Sequence, residues 1–245
     1  MNIIEINNLN ISFSNNTFYS ISGPNNSGKT TLIRSLNKEL EVDNILINNK
    51  NINSYSRYEL SKIIQKVIPL EIEFLGSSLS EELEKRDISN DMQEYLLKSL
   101  KMKSISKVKF NELTKKDIIF SQIVIALASN PQVLLLDCIS NYLTNYDIKK
   151  LYKFFKEYQD NYELTVVSTT NKLEDTLYSD YLYIINDGNV YLEGEPLEIL
   201  QKDNVLNKLG LNIPFMIDLS VKLRDYNLID NIELDRDRMV DILWK

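Results

Sequence analysis

The residues best suited to chemistry are Gly23-Pro24-Asn25-Asn26-Ser27-Gly28-Lys29-Thr30-Thr31, which fit the spacing G-x-x-x-x-G-K-[ST]. A glycine at 23 closes the preceding strand. A glycine at 28 lets the backbone approach phosphate oxygens with no Cβ in the way. The amides of residues 26–30 then turn inward as an anion nest at a helix N-terminus. In that arrangement Lys29 reaches the outer phosphates and Thr30 brings a hydroxyl to Mg²⁺, so the expected ligand is a nucleoside triphosphate with its magnesium. Asn25 and Asn26 tolerate positive φ, as a tight loop requires.

The apolar run Val133-Leu134-Leu135-Leu136 ends in Asp137, a carboxylate placed to complete a Mg²⁺ shell with Thr30. Cys138 follows it. Of the 245 residues none is histidine and one is cysteine. Histidine metal ligands, general bases and pH switches are therefore excluded. No intramolecular disulfide can form, which fits a reducing cytoplasm.

Positioning these groups requires a strand before the loop and a helix after it. Thr17–Ser22 reads as the strand, and Thr30–Leu40 as the helix, with Leu32, Ile33, Leu36 and Leu40 at helical spacing. Upstream, Ile3–Ile6 and Leu9–Phe13 alternate as strands. Downstream, Ile45–Ile47 and Ile63–Ile68 are strand candidates around a turn at Asn48–Asn53. Charged helices occupy the stretch from Ser80 to about Leu113, and an amphipathic helix Lys115–Ala128 ends at Asn130-Pro131. Val133–Leu136 and Leu164–Val167 have the composition of buried parallel strands, with helix Asp147–Tyr158 between them as a β-α-β unit. Tyr181–Asn186, Asp187-Gly188 and Val190–Leu192 read as a hairpin, and a helical tail starts at Pro196.

The balance of 28 basic against 35 acidic residues, net −7, argues against a nucleic-acid partner. The N-terminus has no secretory pattern, and the most apolar window, Ile118–Ala128, is far shorter than the roughly 20 residues that cross a bilayer.

Taken together, the phosphate loop and the strand ending in Asp137 resemble the Walker A and Walker B elements of ATP-binding cassette (ABC) ATPases, over nearly the whole chain. Phe74-Leu75-Gly76-Ser77-Ser78-Leu79-Ser80-Glu81-Glu82-Leu83 resembles the segment after the Q-loop in ATPases of energy-coupling factor (ECF) importers. Leu206-Asn207-Lys208-Leu209-Gly210-Leu211-Asn212-Ile213-Pro214-Phe215, through Leu223, is similar to their C-terminal extension. The fold this implies is an α/β P-loop NTPase core with N-terminal antiparallel strands, an inserted helical subdomain and a C-terminal helical extension. The implied domains are an ABC-type nucleotide-binding domain over 1–204, with the helical subdomain inserted at about 72–130, and the extension over 205–245.

The resemblance also implies a subunit of a vitamin or metal-ion importer that lies peripherally on the cytoplasmic face of the cell membrane. It would pair head-to-tail with a second ABC ATPase, beneath a membrane scaffold protein and a substrate-binding membrane protein. Several family positions are replaced, which favours a heterodimer with a competent partner. Cys138 stands where the family carries its water-polarising glutamate, and Asn171 where it carries a histidine. Ile68 takes the Q-loop glutamine position, with Gln65 facing the opposite side. Leu113-Thr114-Lys115-Lys116-Asp117 takes the place of the Leu-Ser-Gly-Gly-Gln signature, and Thr144 that of the D-loop aspartate. Thr114 keeps a hydroxyl for a γ-phosphate, while the two lysines either meet phosphate in the partner's site or form a solvated helix start. Phe13 and Tyr19 are the candidates for stacking on adenine. The expected site thus binds nucleotide with impaired hydrolysis. The alternative is a regulatory or structural pseudo-ATPase that binds without turnover; a small-molecule kinase would leave the helical segment and the tail unexplained.

Overall fold

A computed structural model describes residues 2–40, 43–69, 71 and 73–244. The chain opens with β1 (Asn2–Ile6), β2 (Ile11–Ser14) and β3 (Phe18–Ser22), and after the loop come α1 (Lys29–Leu36), β4 (Ile45–Ile47) and β5 (Lys50–Asn51). Next are α2 (Arg57–Ile63), β6 (Ile64–Val67), α3 (Leu79–Lys85), α4 (Asn90–Ser99) and α5 (Lys115–Ala128). β7 (Val133–Asp137), α6 (Asn145–Gln159), β8 (Thr165–Thr170), β9 (Tyr181–Asn186) and β10 (Asn189–Gly194) complete the sheets. The tail is α7 (Pro196–Leu200), α8 (Asp203–Lys208), α9 (Phe215–Asp225) and α10 (Arg236–Leu243).

Two sheets carry the fold. The antiparallel one has the order β2-β1-β4-β5, and the larger one β10-β9-β3-β8-β7-β6, parallel throughout except for β10. This is the expected α/β architecture. Parallel strands are covered on both faces, and β7 illustrates why its sequence is a continuous apolar run. Leu134 and Leu136 pack with α3 to α6 on one face, while Val133 and Leu135 pack with α1 and the antiparallel sheet on the other. On β9, Leu182 and Ile184 join a third cluster with Leu206, Leu211, Ile217 and Val221 of the tail. The tail is thereby fixed to the same sheet that carries the loop.

Three details depart from expectation. α1 stops at Leu36; Lys38 adopts φ 55° and Leu40 is exposed. The segment after the Asn48–Asn53 turn forms α2, begun by a capping box in which Ser56 and Glu59 satisfy each other's backbone amides. The run α5 is not amphipathic: from Ile118 to Ala128 every residue but Gln122 is buried. The expected start of the helical insertion, Ile72, and the last residue of the extension, Lys245, lie outside the described residues.

Candidate phosphate-binding site

The C-terminal ends of the adjacent parallel strands β3, β8 and β7 meet beside the loop, the place where open α/β sheets bind ligands. There Asn25, Asn26, Ser27, Gly28, Lys29, Thr30 and Thr31 line a cavity of about 640 Å³ with Cys138 and Asn171. The sequence thus places its loop and both replaced positions around one space. Gly23 has φ 156°, and a Cβ there would lie 2.0 Å from the Ile185 carbonyl oxygen, so no side chain fits. Gly28 (φ 106°) and Asn26 (φ 62°) take the left-handed conformations the loop needs.

Lys29 is buried, and its ammonium donates to the carbonyls of Gly23 and Pro24, both at 2.8 Å, and to Ser27 Oγ at 3.4 Å. The loop is therefore held around its own cation. Burial lowers the Lys29 pKa, and the nearby Cys138 and Asp137 oppose that shift. Thr30 and Thr31 are exposed to the cavity. Asp137 is buried at the end of β7, and one of its oxygens accepts a 2.5 Å hydrogen bond from Thr169 Oγ1 on β8. A hydroxyl and a carboxylate are the hard oxygen donors that suit Mg²⁺, so Thr30 and Asp137 fit that ion.

Cys138 sits in the left-handed region (φ 50°, ψ 33°). Its amide donates to the carbonyl and hydroxyl oxygens of Thr169, both at 3.1 Å, and its Sγ lies 3.5 Å from the same hydroxyl. Burial pushes the thiol pKa up; Asp137 adds to this, while the Thr169 hydrogen bond and Lys29 work against it. At neutral pH the sulfur is a protonated thiol, which cannot accept a proton from water.

In the signature-like segment both lysines are exposed in the first turn of α5, as a solvated helix start requires. Leu113 ends the turn before α5, and Thr114 is its N-cap, accepting from the Asp117 amide and donating its hydroxyl to Asp117 Oδ2 at 2.6 Å. Lys116 pairs at 2.6 Å with the buried Asp147, and Lys115 lies 5.8 Å over the Tyr142 ring. Thr144 caps α6 and shares Asp147 as its own partner. The first turn of α5 is thus tied to the first turn of α6.

Neither adenine-stacking candidate faces the cavity. Phe13 is fully buried, and Tyr19 is buried with its oxygen accepting from the Ser14 amide at 2.8 Å. Both rings belong to the core between the sheets, edge to face at 4.9 Å.

A second groove, lined by Gln65, Lys66, Glu71, Phe74, Arg86 and Gln122 among others, lies between β6 and α5. Ile68 packs into the apolar core instead. Gln122, which sequence reasoning treated only as an interruption, donates to the carbonyls of Ile68 and Glu71 from the one unburied position of its helix stretch. A lone amide in an apolar helix was the signal for it.

A family model described as ABC transporter matches residues 6–140, more than half of the chain. The energy-coupling factor transporter ATP-binding protein EcfA1 of Streptococcus agalactiae is 28% identical over 272 residues, spanning 100% of this chain and 98% of that protein. EcfA1 of Oenococcus oeni is 26% identical over 260 residues, spanning 99% and 92%. Among solved structures, cbiO1 of Clostridium perfringens, part of the ABC transporter complex cbiONQ, matches at TM-score 0.74 and 22% identity over 89% of this chain and 98% of that one. The ATP-binding cassette MJ1267 matches at TM-score 0.76 and 20% identity over 86% and 100%. Among the described residues, no helix is long and apolar enough to cross a membrane. The chain belongs to the ABC transporter family, and the two relatives described above that it matches over more than nine-tenths of their length are ATP-binding proteins of energy-coupling factor transporters.

Proposed function

We propose that this chain is the ATP-binding subunit of an ECF-type importer for vitamins or metal ions, and that its own site holds Mg-ATP with little or no hydrolysis. The carrying observation is the contrast inside one cavity between a loop folded around the Lys29 ammonium and a raised-pKa thiol at Cys138. On binding, Lys29 exchanges its carbonyl partners for phosphate oxygens, and the loop amides take up the remaining negative charge. Thr30 and Asp137 would hold Mg²⁺, which neutralises charge on the outer phosphates when bound. Asn171 can donate a hydrogen bond but carries no charge. No general base is offered to water, a loss of about 10²- to 10⁴-fold.

In this reading the nucleotide-binding domain spans 1–204, with its helical insertion at about 72–130, and 205–245 forms an extension. The subunit lies on the cytoplasmic face of the membrane and pairs head-to-tail with a second ABC ATPase. It reaches the membrane scaffold and the substrate-binding protein through the groove beside Phe74. Exposed Leu75 and a neighbouring loop held by buried Glu82 support that docking role: Glu82 accepts from the Leu75 and Gly76 amides at 2.6 and 2.7 Å. The pseudo-ATPase reading draws support from one feature. The Thr114 hydroxyl and the Lys116 ammonium are spent on Asp117 and Asp147, so this chain offers little to the partner's γ-phosphate.

Steady-state ATP hydrolysis by the purified chain tests the impaired site, with negligible turnover expected. Robust turnover of the unmodified chain contradicts it. Co-purification with a multi-helix membrane protein on co-expression supports the importer, and its persistent absence favours the soluble regulator.

A further inference from the structure

At the end of the large sheet opposite the phosphate cavity, the chain entering β3, β7 and β8 meets the turn between β4 and β5. A cavity of about 350 Å³ opens there, lined by Asn15, Asn16, Asn48, Gln132, Glu163 and Thr165, with Ile3 as its apolar member. That volume lies within the roughly 300–1,000 Å³ of pockets that hold small-molecule ligands. The cavity shares no residue with the phosphate cavity or with the groove beside Phe74.

The walls are fixed by hydrogen bonds that use one end of each of three side-chain amides. Asn16 and Asn48 take left-handed conformations, φ 53° and φ 49°, that set their turns. The Asn16 backbone amide donates to Thr165 Oγ1 at 3.1 Å, and its Oδ1 accepts from the Leu164 amide at 3.3 Å. Thr165 donates its hydroxyl to the Ser14 carbonyl at 3.1 Å. Asn48 Nδ2 donates to Gln132 Oε1 at 3.1 Å and so ties the antiparallel sheet to the entry of β7. What is left over is specific. Among the described residues, Asn16 Nδ2 and Gln132 Nε2 remain as unspent donors, Asn48 Oδ1 and the Glu163 carboxylate as unspent acceptors, and the Asn15 amide as both. Turning both amides of the Asn48–Gln132 pair exchanges their roles and still leaves one donor and one acceptor.

This mixture selects the chemistry of a ligand. An anion offers acceptors alone and would face the Glu163 carboxylate with no lysine or arginine in the lining. An ammonium group offers donors alone and would leave Asn16 Nδ2 and Gln132 Nε2 unpaired. A hydroxyl donates and accepts at one atom, and neighbouring hydroxyls repeat that pattern. We propose that this cavity binds a small uncharged polyhydroxyl compound, a sugar of one or two rings, through Asn15, Asn16, Asn48, Gln132 and Glu163. The site is independent of the nucleotide reading. A sugar seated there spans the antiparallel sheet at Asn48 and the parallel sheet at Gln132 and Glu163, at the other end of the two strands that present Asp137 and Thr169.

Titration of the ¹⁵N-labelled chain with glucose and with sucrose tests the site. The side-chain amide signals of Asn15, Asn16, Asn48 and Gln132 are expected to shift saturably with a Kd on the order of 1 mM for at least one of the two. Asn15 and Glu163 are exposed and make no side-chain bond among the described residues, so Asn15→Ala and Glu163→Ala leave the walls in place. Each is expected to weaken that sugar by about tenfold, the scale of one or two lost hydrogen bonds. No saturable shift with either sugar, or an affinity unchanged in both variants, overturns the site. Spermidine, which only donates, and inorganic phosphate, which chiefly accepts, are expected to leave these four signals in place. Saturable shifts with either ion in place of the sugars overturn the polyhydroxyl assignment.

Discussion

At one side of the phosphate cavity lies a loop in which Gly23 has no room for a side chain, Gly28 takes a left-handed conformation, and the Lys29 cation is already seated. Across the same cavity, half-buried Cys138 and exposed Asn171 have no charge to lend to a water molecule. In the function proposed above, the first region holds charge and the second does not move a proton. Affinity and turnover are separable properties of one site, because the first rests on fixed dipoles and a lysine and the second on a single carboxylate base.

The contrast is open to direct attack. The largest effect is expected from Cys138→Glu, which restores a carboxylate beside Asp137. ATP turnover should rise by about 10²-fold or more in a coupled phosphate-release assay, and an unchanged rate would count against position 138 as the limit on hydrolysis. Gly23→Ala comes next, since its methyl would collide with the Ile185 carbonyl. It should destabilise the fold by about 3 kcal/mol, read as a lowered denaturation midpoint with unchanged m-value. Lys29→Ala should weaken ATP by roughly 100-fold in calorimetry, the scale of losing charge-assisted hydrogen bonds to phosphate, while leaving stability nearly intact.

The smallest expected effect concerns Lys116. Its pair with Asp147 is half exposed on the lysine side, so Lys116→Ala should cost only about 0.5 kcal/mol at pH 7. Burial raises the Asp147 pKa, but bonds from Lys116 and Thr144 outweigh it and hold the carboxyl below its usual range. A depressed native pKa stabilises above the unfolded value of about 3.9 and fades as pH falls through the native one. The difference between wild type and variant should therefore shrink in melts taken at increasingly acid pH. A difference that persists in acid would mean that the lysine acts through packing.

The loop, the strand ending in Asp137 and the hairpin were legible in sequence because each rests on local chemistry: glycine dihedrals, an apolar run between two covered faces, a turn of Asp and Gly. α2 was legible too, through Ser56 and Glu59, and went unread beside an Asn-rich turn. What local pattern could not supply was partnership between distant segments. Phe13 and Tyr19 read as candidate stacking rings because aromatic type is visible in sequence, whereas their burial depends on Tyr183, 170 and 164 positions away in number and beside them in space. The lysines of the signature-like segment read as free charges because Asp147 lies on another helix. α5 read as amphipathic because its half-buried amide at Gln122 and its charged first turn mimic a polar face, while neighbouring segments cover the rest of the stretch from Ile118 to Ala128.

The brace on the loop comes from the β9–β10 hairpin, far downstream in sequence: the Ile185 carbonyl leaves no room for a Cβ on Gly23, and the Gly188 amide donates to the Ser27 carbonyl. During synthesis, then, the motif emerges from the ribosome long before its support does. A nascent chain halted after β8 would carry every signature of a triphosphate cradle in a slack state, and competence would arrive only once the final hairpin has cleared the exit tunnel.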